Sequence, residues 1–218
     1  MSTHDSTQKA RIVAVTNQKG GVGKTTTAVN LAAAFSRMKR PVLLIDLDPQ
    51  GNATSGVGLD KNRITKTLYH GLLGTTSAHD LILNSDIDTL KIIPANVELI
   101  GFEVEMMSNP DREKALKDLV STVATDFDYV ILDCPPSLSL LTVNALTAAD
   151  TLLIPLQCEF YALEGLGQLL QTVKRIKQHL NPHLIIVGIL LTMFDRRLKL
   201  SNQVAEEAID FFGETVYE

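Results

Sequence analysis

Residues 16 to 27 read TNQKGGVGKTTT. Gly20, Gly21 and Gly23 let the backbone wrap closely and turn several N–H groups inward, a nest for anionic oxygens. Lys24 adds a cation where the next apolar segment begins, and a helix starting there would add its N-terminal partial positive charge. On this pattern Lys24 bridges the β- and γ-phosphates of a nucleotide and the Thr25 hydroxyl ligates Mg2+. Thr26 is placed for the α-phosphate, and the backbone of Gly20, Gly21, Val22 and Gly23 completes the cradle. The loop is unusual in two ways. Gln18 stands where the first glycine is usual, and a second lysine, Lys19, precedes Gly20. One lysine suffices for one nucleotide, so Lys19 calls for another role.

Three carboxylates could serve such a site. Asp133 ends the apolar run YVILD, where an oxygen ligand would hold Mg2+ directly or through a water. Asp46 and Asp48 lie in LLIDLDPQGN. Either could orient an attacking water, or could instead close an Asx turn before Pro49. Asp48, one step further out of the strand, is the better placed for water.

Those residues need a scaffold that brings distant segments to one edge. RIVAVTN (11–17), VLLID (42–46), TLKIIPA (89–95), YVILD (129–133), TLLIPL (151–156) and LIIVGILLT (184–192) read as buried strands. Between them, 25–38, 163–180 and 201–212 have helical periodicity, and Asn109 with Pro110 signals a helix running to about Thr125. Alternation of this kind predicts an α/β fold: a single P-loop-type domain over 11–218, with a twisted, mostly parallel sheet and helices on both faces. In such sheets ligands sit beyond the carboxyl ends of the strands, which is where all three motifs fall. Residues 49–88 are the least regular stretch. The polar first ten residues read as a flexible tail. ETVYE reads as the start of one more strand.

The composition excludes several classes. The chain has 218 residues, 45% of them hydrophobic, and 25 acidic against 20 basic residues give a net charge of −5. That argues against wholesale coating of nucleic acid but leaves room for a basic patch. No apolar run is long enough to cross a bilayer, and the N-terminus is no signal peptide, so a cytoplasmic protein is expected. Cys134 and Cys158 read as buried, reduced thiols. Pro182 between His179 and His183 spoils a shared helical face, so they read as surface loop residues rather than metal ligands.

The segments KGGVGKTT, DLDPQGNATSGVG, YVILDCPPSL, NALTAAD, PLQCEFYALEGL and GILLTMFD, in that order, resemble the ParA/Soj family of chromosome- and plasmid-partitioning ATPases, related to MinD. The likeness runs from about residue 10 to 218. The loop alone marks only the wider superfamily, whereas DLDPQGNATSG and QCEFYALEGL are specific to the ParA branch.

The resemblance implies an ATPase that hydrolyses ATP to ADP and phosphate with Mg2+ and works as a nucleotide-controlled switch. In an ATP-bound homodimer Lys19 would reach the other subunit's phosphates, much as an arginine finger does. Lys24, Thr25 and Thr26 would bind nucleotide in cis, Asp48 would align the water and Asp133 would serve Mg2+. Gly20 would lie where two loops face each other. The dimer would bind nucleoid DNA without sequence preference, and a ParB-like centromere-binding partner would stimulate hydrolysis. Arg197 aligns with a DNA-contacting arginine of the family, with Arg196 and Lys199 as helpers; Lys174, Arg175 and Lys177 read rather as an exposed helix face. The family also has a further strand and last helix, so the chain reads as C-terminally truncated. A MinD-like positioning ATPase on membranes is the alternative. An iron-protein-like reductase would need cluster cysteines, for which Cys134 is the sole candidate.

Overall fold

The computed structural model describes residues 9–217. The expected N-terminal tail, 1–10, lies almost wholly outside them. Its last residue, Ala10, is already buried and donates its N–H to the Ala124 carbonyl at 3.0 Å.

Eight strands are described: β1 Arg11–Val15, β2 Val42–Asp46, β3 Leu83–Asn84, β4 Leu90–Ile93, β5 Tyr129–Asp133, β6 Thr151–Gln157, β7 Ile185–Thr192 and β8 Val216–Tyr217. They form one sheet in the order β3-β4-β2-β5-β1-β6-β7-β8. Every pairing is parallel except β3 with β4. The helices are α1 Lys24–Arg37, α2 Asn52–Gly56, α3 Leu68–Leu72, α4 Ala78–Leu81, α5 Phe102–Glu105, α6 Ala115–Ser121, α7 Leu140–Ala148, α8 Ala162–His179 and α9 Lys199–Phe212. The predicted α/β architecture is the observed one.

Side chains alternate between the two faces of the sheet, as a period of two demands. Val13, Val15, Leu44 and Ile131 pack on the side of Ala28 and Ala32 from α1. Ile12, Ala14, Leu43, Ile45, Val130 and Leu132 join the larger core that holds Leu116, Ala145, Leu166 and Leu169 from α6, α7 and α8. Burial on both faces explains why these strands are continuous apolar runs.

Register does the positioning. Asp133 pairs with Val15 on one side and with Asp46 on the other. The start of the glycine loop and two of the three carboxylates therefore end at the same height on one sheet edge.

Short elements the sequence did not signal fill 52–105 (α2 to α5 and β3), and two longer helices also differ from the expectation. Asn109 does not cap a helix starting at Pro110; it closes a turn onto the Asp111 N–H at 2.9 Å. The helix starts at Ala115, because Asn144 of α7 accepts the Leu116 N–H at 3.0 Å and donates to the Arg112 carbonyl at 2.8 Å. A cap supplied from another helix leaves no local signal. The second difference is α7 itself, LLTVNALTA, which was not expected. It is buried almost throughout, Thr142, Asn144 and Thr147 included, so it shows no amphipathic stripe. His179 ends α8 rather than lying in a loop.

Candidate active site

The glycine loop joins β1 to α1. Gly21 and Gly23 have φ of 77° and 85°, a region that disfavours side chains, so here glycine is a backbone requirement. Gly20 differs: a Cβ added there would meet nothing within 4 Å of its own chain. Helix α1 begins at Lys24 with no side chain capping it, which leaves its first N–H groups directed at the loop.

Lys24 is buried, and its Nζ donates to the Lys19 carbonyl at 2.7 Å. Burial pulls its pKa below the usual lysine value, against the opposing pull of Asp133, Cys134 and Asp48. Asp133 lies opposite with both carboxylate oxygens buried and without a hydrogen-bond partner. Its pKa is pushed up to about 7, first by burial and then by the charge of Asp46, while Thr25 and Lys24 pull the other way. The Thr25 hydroxyl is near enough to lower that value but does not meet hydrogen-bond geometry, so the two oxygens stay orphaned. An orphaned, buried carboxylate beside a threonine hydroxyl is a donor set that suits a hard divalent cation. The residues therefore fit Mg2+ accompanying a nucleotide.

Asp46 and Asp48 separate into different situations. Asp46 is fully engaged: Oδ2 accepts the Thr54 N–H at 2.8 Å and its hydroxyl at 2.7 Å, and Oδ1 accepts the Asp48 N–H at 3.1 Å. Burial raises its pKa to about 6 despite those bonds. Thr54 also accepts the Ala95 N–H at 3.1 Å, so Asp46 clasps the irregular 49–95 region to the sheet. Asp48 makes the Asx turn, Oδ1 accepting the Gln50 N–H at 2.9 Å, and is itself buried within electrostatic reach of Lys24.

The outer lip of the loop is tied to α8. Gln18 donates from Nε2 to the Gly165 carbonyl and to Gln168 Oε1, both at 3.0 Å. Lys19 pairs with Glu159 Oε1 at 2.7 Å and also donates to the Phe160 carbonyl at 3.2 Å. Both side chains of that pair stay partly exposed, at 35% and 39%. Tyr161, which precedes α8, has φ of 66° and stands exposed with Phe160, their rings edge to face at 4.5 Å. Asn17 and Thr192 brace the loop from behind, through Asn17 Nδ2 to the Pro155 carbonyl at 2.8 Å and Thr192 Oγ1 to the Val22 carbonyl at 2.9 Å. These braces could not be read from sequence, because each joins residues more than 100 positions apart. The single legible hint was QCEFYALEGL, which contains Glu159, Phe160 and Tyr161.

Past Thr192, the turn before α9 carries Arg196 and Arg197, and Lys199 opens α9; all three are exposed. Arg197 forks onto Asp195, with Nε 2.9 Å from Oδ1 and Nη2 2.7 Å from Oδ2. Part of the expected basic patch is thus neutralised internally. Lys174, Arg175 and Lys177 are exposed on α8. Cys134 is buried in the core, which denies it the reach to bridge a cluster to a second subunit. No described helix is long and apolar enough to cross a membrane.

A cavity of about 660 Å3 lies beside the loop rather than over it. It is a groove between α1 and the strands β6 to β8, lined by Leu31, Phe35, Leu153, Val187 and Leu190 among others. Thr26 and Thr27 from the first turn of α1, with Arg11 and Asn30, also line it, but none of the loop glycines does.

Residues 10–186 match a family model described as an AAA domain. The chain is 51% identical over 208 residues to a chromosome partitioning protein ParA from Myxococcus xanthus, covering 95% of this chain and 74% of that one. It is 50% identical over 207 residues to the sporulation initiation inhibitor protein Soj of Bacillus subtilis, covering 95% and 82%. Among solved structures, a cobyrinic acid a,c-diamide synthase from Mycobacterium smegmatis with bound ADP and magnesium superposes with a TM-score of 0.89. Its identity is 41%, over 94% of this chain and 83% of that one.

Proposed function

This chain belongs to the ParA/Soj family of partitioning ATPases, and from that premise we propose that it is an ATP-driven switch that dimerises, binds DNA and is reset by a stimulating partner. The observation that carries the reading is the division of labour between the two loop lysines. Lys24 points inward among Asp133 and Asp48, where it can serve only its own chain's nucleotide. Lys19 points outward and is held by Glu159 and Phe160.

In this account Lys24 exchanges the Lys19 carbonyl for a phosphate oxygen when ATP enters, and the free N–H groups of α1 take the remaining phosphate charge. Thr25 and Asp133 would hold Mg2+, which when bound supplies charge neutralisation to the phosphates. Asp48 orients the water that attacks the γ-phosphate. Lys19 completes the partner's site by leaving Glu159 and Phe160 to cross the interface, where its charge stabilises the transition state. A residue that touches phosphate only in the dimer gives the nucleotide a differential contact between two states, which a switch requires. Gly20 sits at the closing surface, where open space on its own chain becomes room for the opposing loop.

Arg196, Arg197 and Lys199 would meet DNA phosphates, and doubling the patch in a dimer would strengthen a weak contact. Retention of the chain on random-sequence DNA, with ATP, with ADP and with rising salt, tests the proposal. Retention with ATP alone, falling steeply with salt, is expected. Retention indifferent to nucleotide would overturn the switch.

A further inference from the structure

The segment from Asp46 to Thr54 leaves β2, passes Asp48 and enters α2. One carboxylate closes both of its ends. Asp46 Oδ1 accepts the Asp48 N–H at 3.1 Å, and Oδ2 accepts the Thr54 N–H at 2.8 Å and the Thr54 hydroxyl at 2.7 Å. Helix α2 needs this, because Gly51 at its N-cap has no side chain with which to satisfy the first-turn N–H groups. Between the two ends the chain turns tightly. The Asp48 carbonyl accepts the Gly51 N–H at 2.8 Å, and Gly51 has φ of 63°. A Cβ on Gly51 would lie 3.0 Å from the Ala95 carbonyl oxygen, so the turn is pressed against the chain that follows β4.

Thr54 is the node of this arrangement. It is fully buried, and its hydroxyl both donates to Asp46 and accepts the Ala95 N–H at 3.1 Å. A hydroxyl can donate to a carboxylate and accept from an N–H at once, whereas the methyl of a valine in its place can do neither. The bonds run in one line from the end of β4 through Thr54 and Asp46 to the backbone of Asp48. Among the described residues, the Asp48 carboxylate has a hydrogen bond only to the Gln50 N–H of its own turn, so it moves with that backbone. A misplacement of about 1 Å in a group that aligns a reactant can cost on the order of 100-fold in rate.

We propose that Thr54 is a positioning residue for ATP hydrolysis: its hydroxyl, bonded to Asp46 and to the Ala95 N–H, fixes the place of Asp48. This deepens the reading above and rests on it for the role of Asp48 as the group that orients the attacking water. Being fully buried, Thr54 has no face on the site and acts only through Asp46 and the turn that carries Asp48.

The test compares Thr54→Val, which keeps the shape and removes both hydroxyl bonds, with Thr54→Ser, which keeps the bonds. ATP affinity is read by calorimetry and kcat by phosphate release at saturating ATP, with Asp48→Ala alongside and far-UV circular dichroism to check folding. Thr54→Val should bind ATP within about threefold of the native chain while kcat falls about tenfold or more. Thr54→Ser should restore kcat to within about threefold of native. In the Asp48→Ala background Thr54→Val should lower kcat no further, because the group it positions is gone. Where Thr54→Val does not fold, Thr54→Ala carries the same expectations. Native kcat in a folded Thr54→Val overturns the proposal and makes the clasp a matter of stability alone. So does a loss of ATP affinity as large as the loss of kcat, a Thr54→Ser as slow as Thr54→Val, or a further fall on top of Asp48→Ala. Unchanged kcat in Asp48→Ala alone would remove Asp48 from the reaction and the proposal with it, so the two failures are told apart.

Discussion

The phosphate loop has an inner half and an outer half, and they are built on opposite terms. The inner half, Lys24 with Asp46 and Asp133, is buried, and burial shifts all three titrations in the direction that opposes charge. Such a cluster is tolerable alone and improves when a polyanion and a cation enter together. The outer half, Gln18 and Lys19 against Glu159, Phe160 and Gly165, is partly exposed and held by interactions that water can replace. An exposed ion pair contributes only about 0.2–1 kcal/mol, so it is easily exchanged. The inner half is made to bind and the outer half is made to let go. A molecule that must hold nucleotide firmly yet change partners needs both.

The largest expected effect comes from breaking the inner half. Lys24→Ala should weaken ATP binding by about 100-fold or more and take hydrolysis to background, read by calorimetry and phosphate release. Asp133→Asn should leave a folded chain whose nucleotide affinity no longer rises on adding magnesium, with turnover down about 100-fold. Retained magnesium dependence would remove Asp133 from the cation site.

The outer half should respond differently. Lys19→Ala should leave ATP affinity within about threefold while stimulated turnover falls at least about tenfold, on the order of 1.4 kcal/mol. Glu159→Gln should free Lys19 and strengthen ATP-driven self-association by only about two- to fivefold, as an exposed pair allows. Weakened association would mean that Glu159 serves the closed dimer instead.

The smallest and most diagnostic effect is on stability. Asp46 has a folded-state pKa of about 6, raised above its ordinary 3.8. The folded state therefore binds the proton more tightly, and that stabilisation is present at low pH and is lost as pH rises through about 6. The thermal midpoint of the nucleotide-free chain should fall across that window. The fall should be smaller in Asp46→Asn, provided the Thr54 clasp survives.

Much of this contrast was legible in the sequence, and the part that was not has a physical reason. Lys24, Asp133 and the strands that carry them announce themselves, because a parallel strand buried on both faces must be a continuous apolar run and each motif follows one directly. The alignment of Val15, Asp46 and Asp133 is a consequence of register in such a sheet. The sequence did not reveal what Lys19 touches, because Glu159 lies 140 positions away and the contact depends on how α8 meets the loop. Gln18 looked like a mark of a variant loop and is in addition a strut to Gly165 and Gln168. Helix α7 was invisible because burial on nearly every side erases amphipathic pattern, and the start of α6 was misplaced because Asn144 caps it from outside.

In the proposed switch Lys19 acts on a second copy of the chain rather than on its own nucleotide. Specific ATPase activity per chain, measured over about a 100-fold range of protein concentration with DNA present, tests it most directly. Activity should rise with concentration toward a plateau in the native chain and stay low and flat in Lys19→Ala. Native activity that is independent of concentration, yet still lost in Lys19→Ala, would place Lys19 in its own site and rule out a role across the interface.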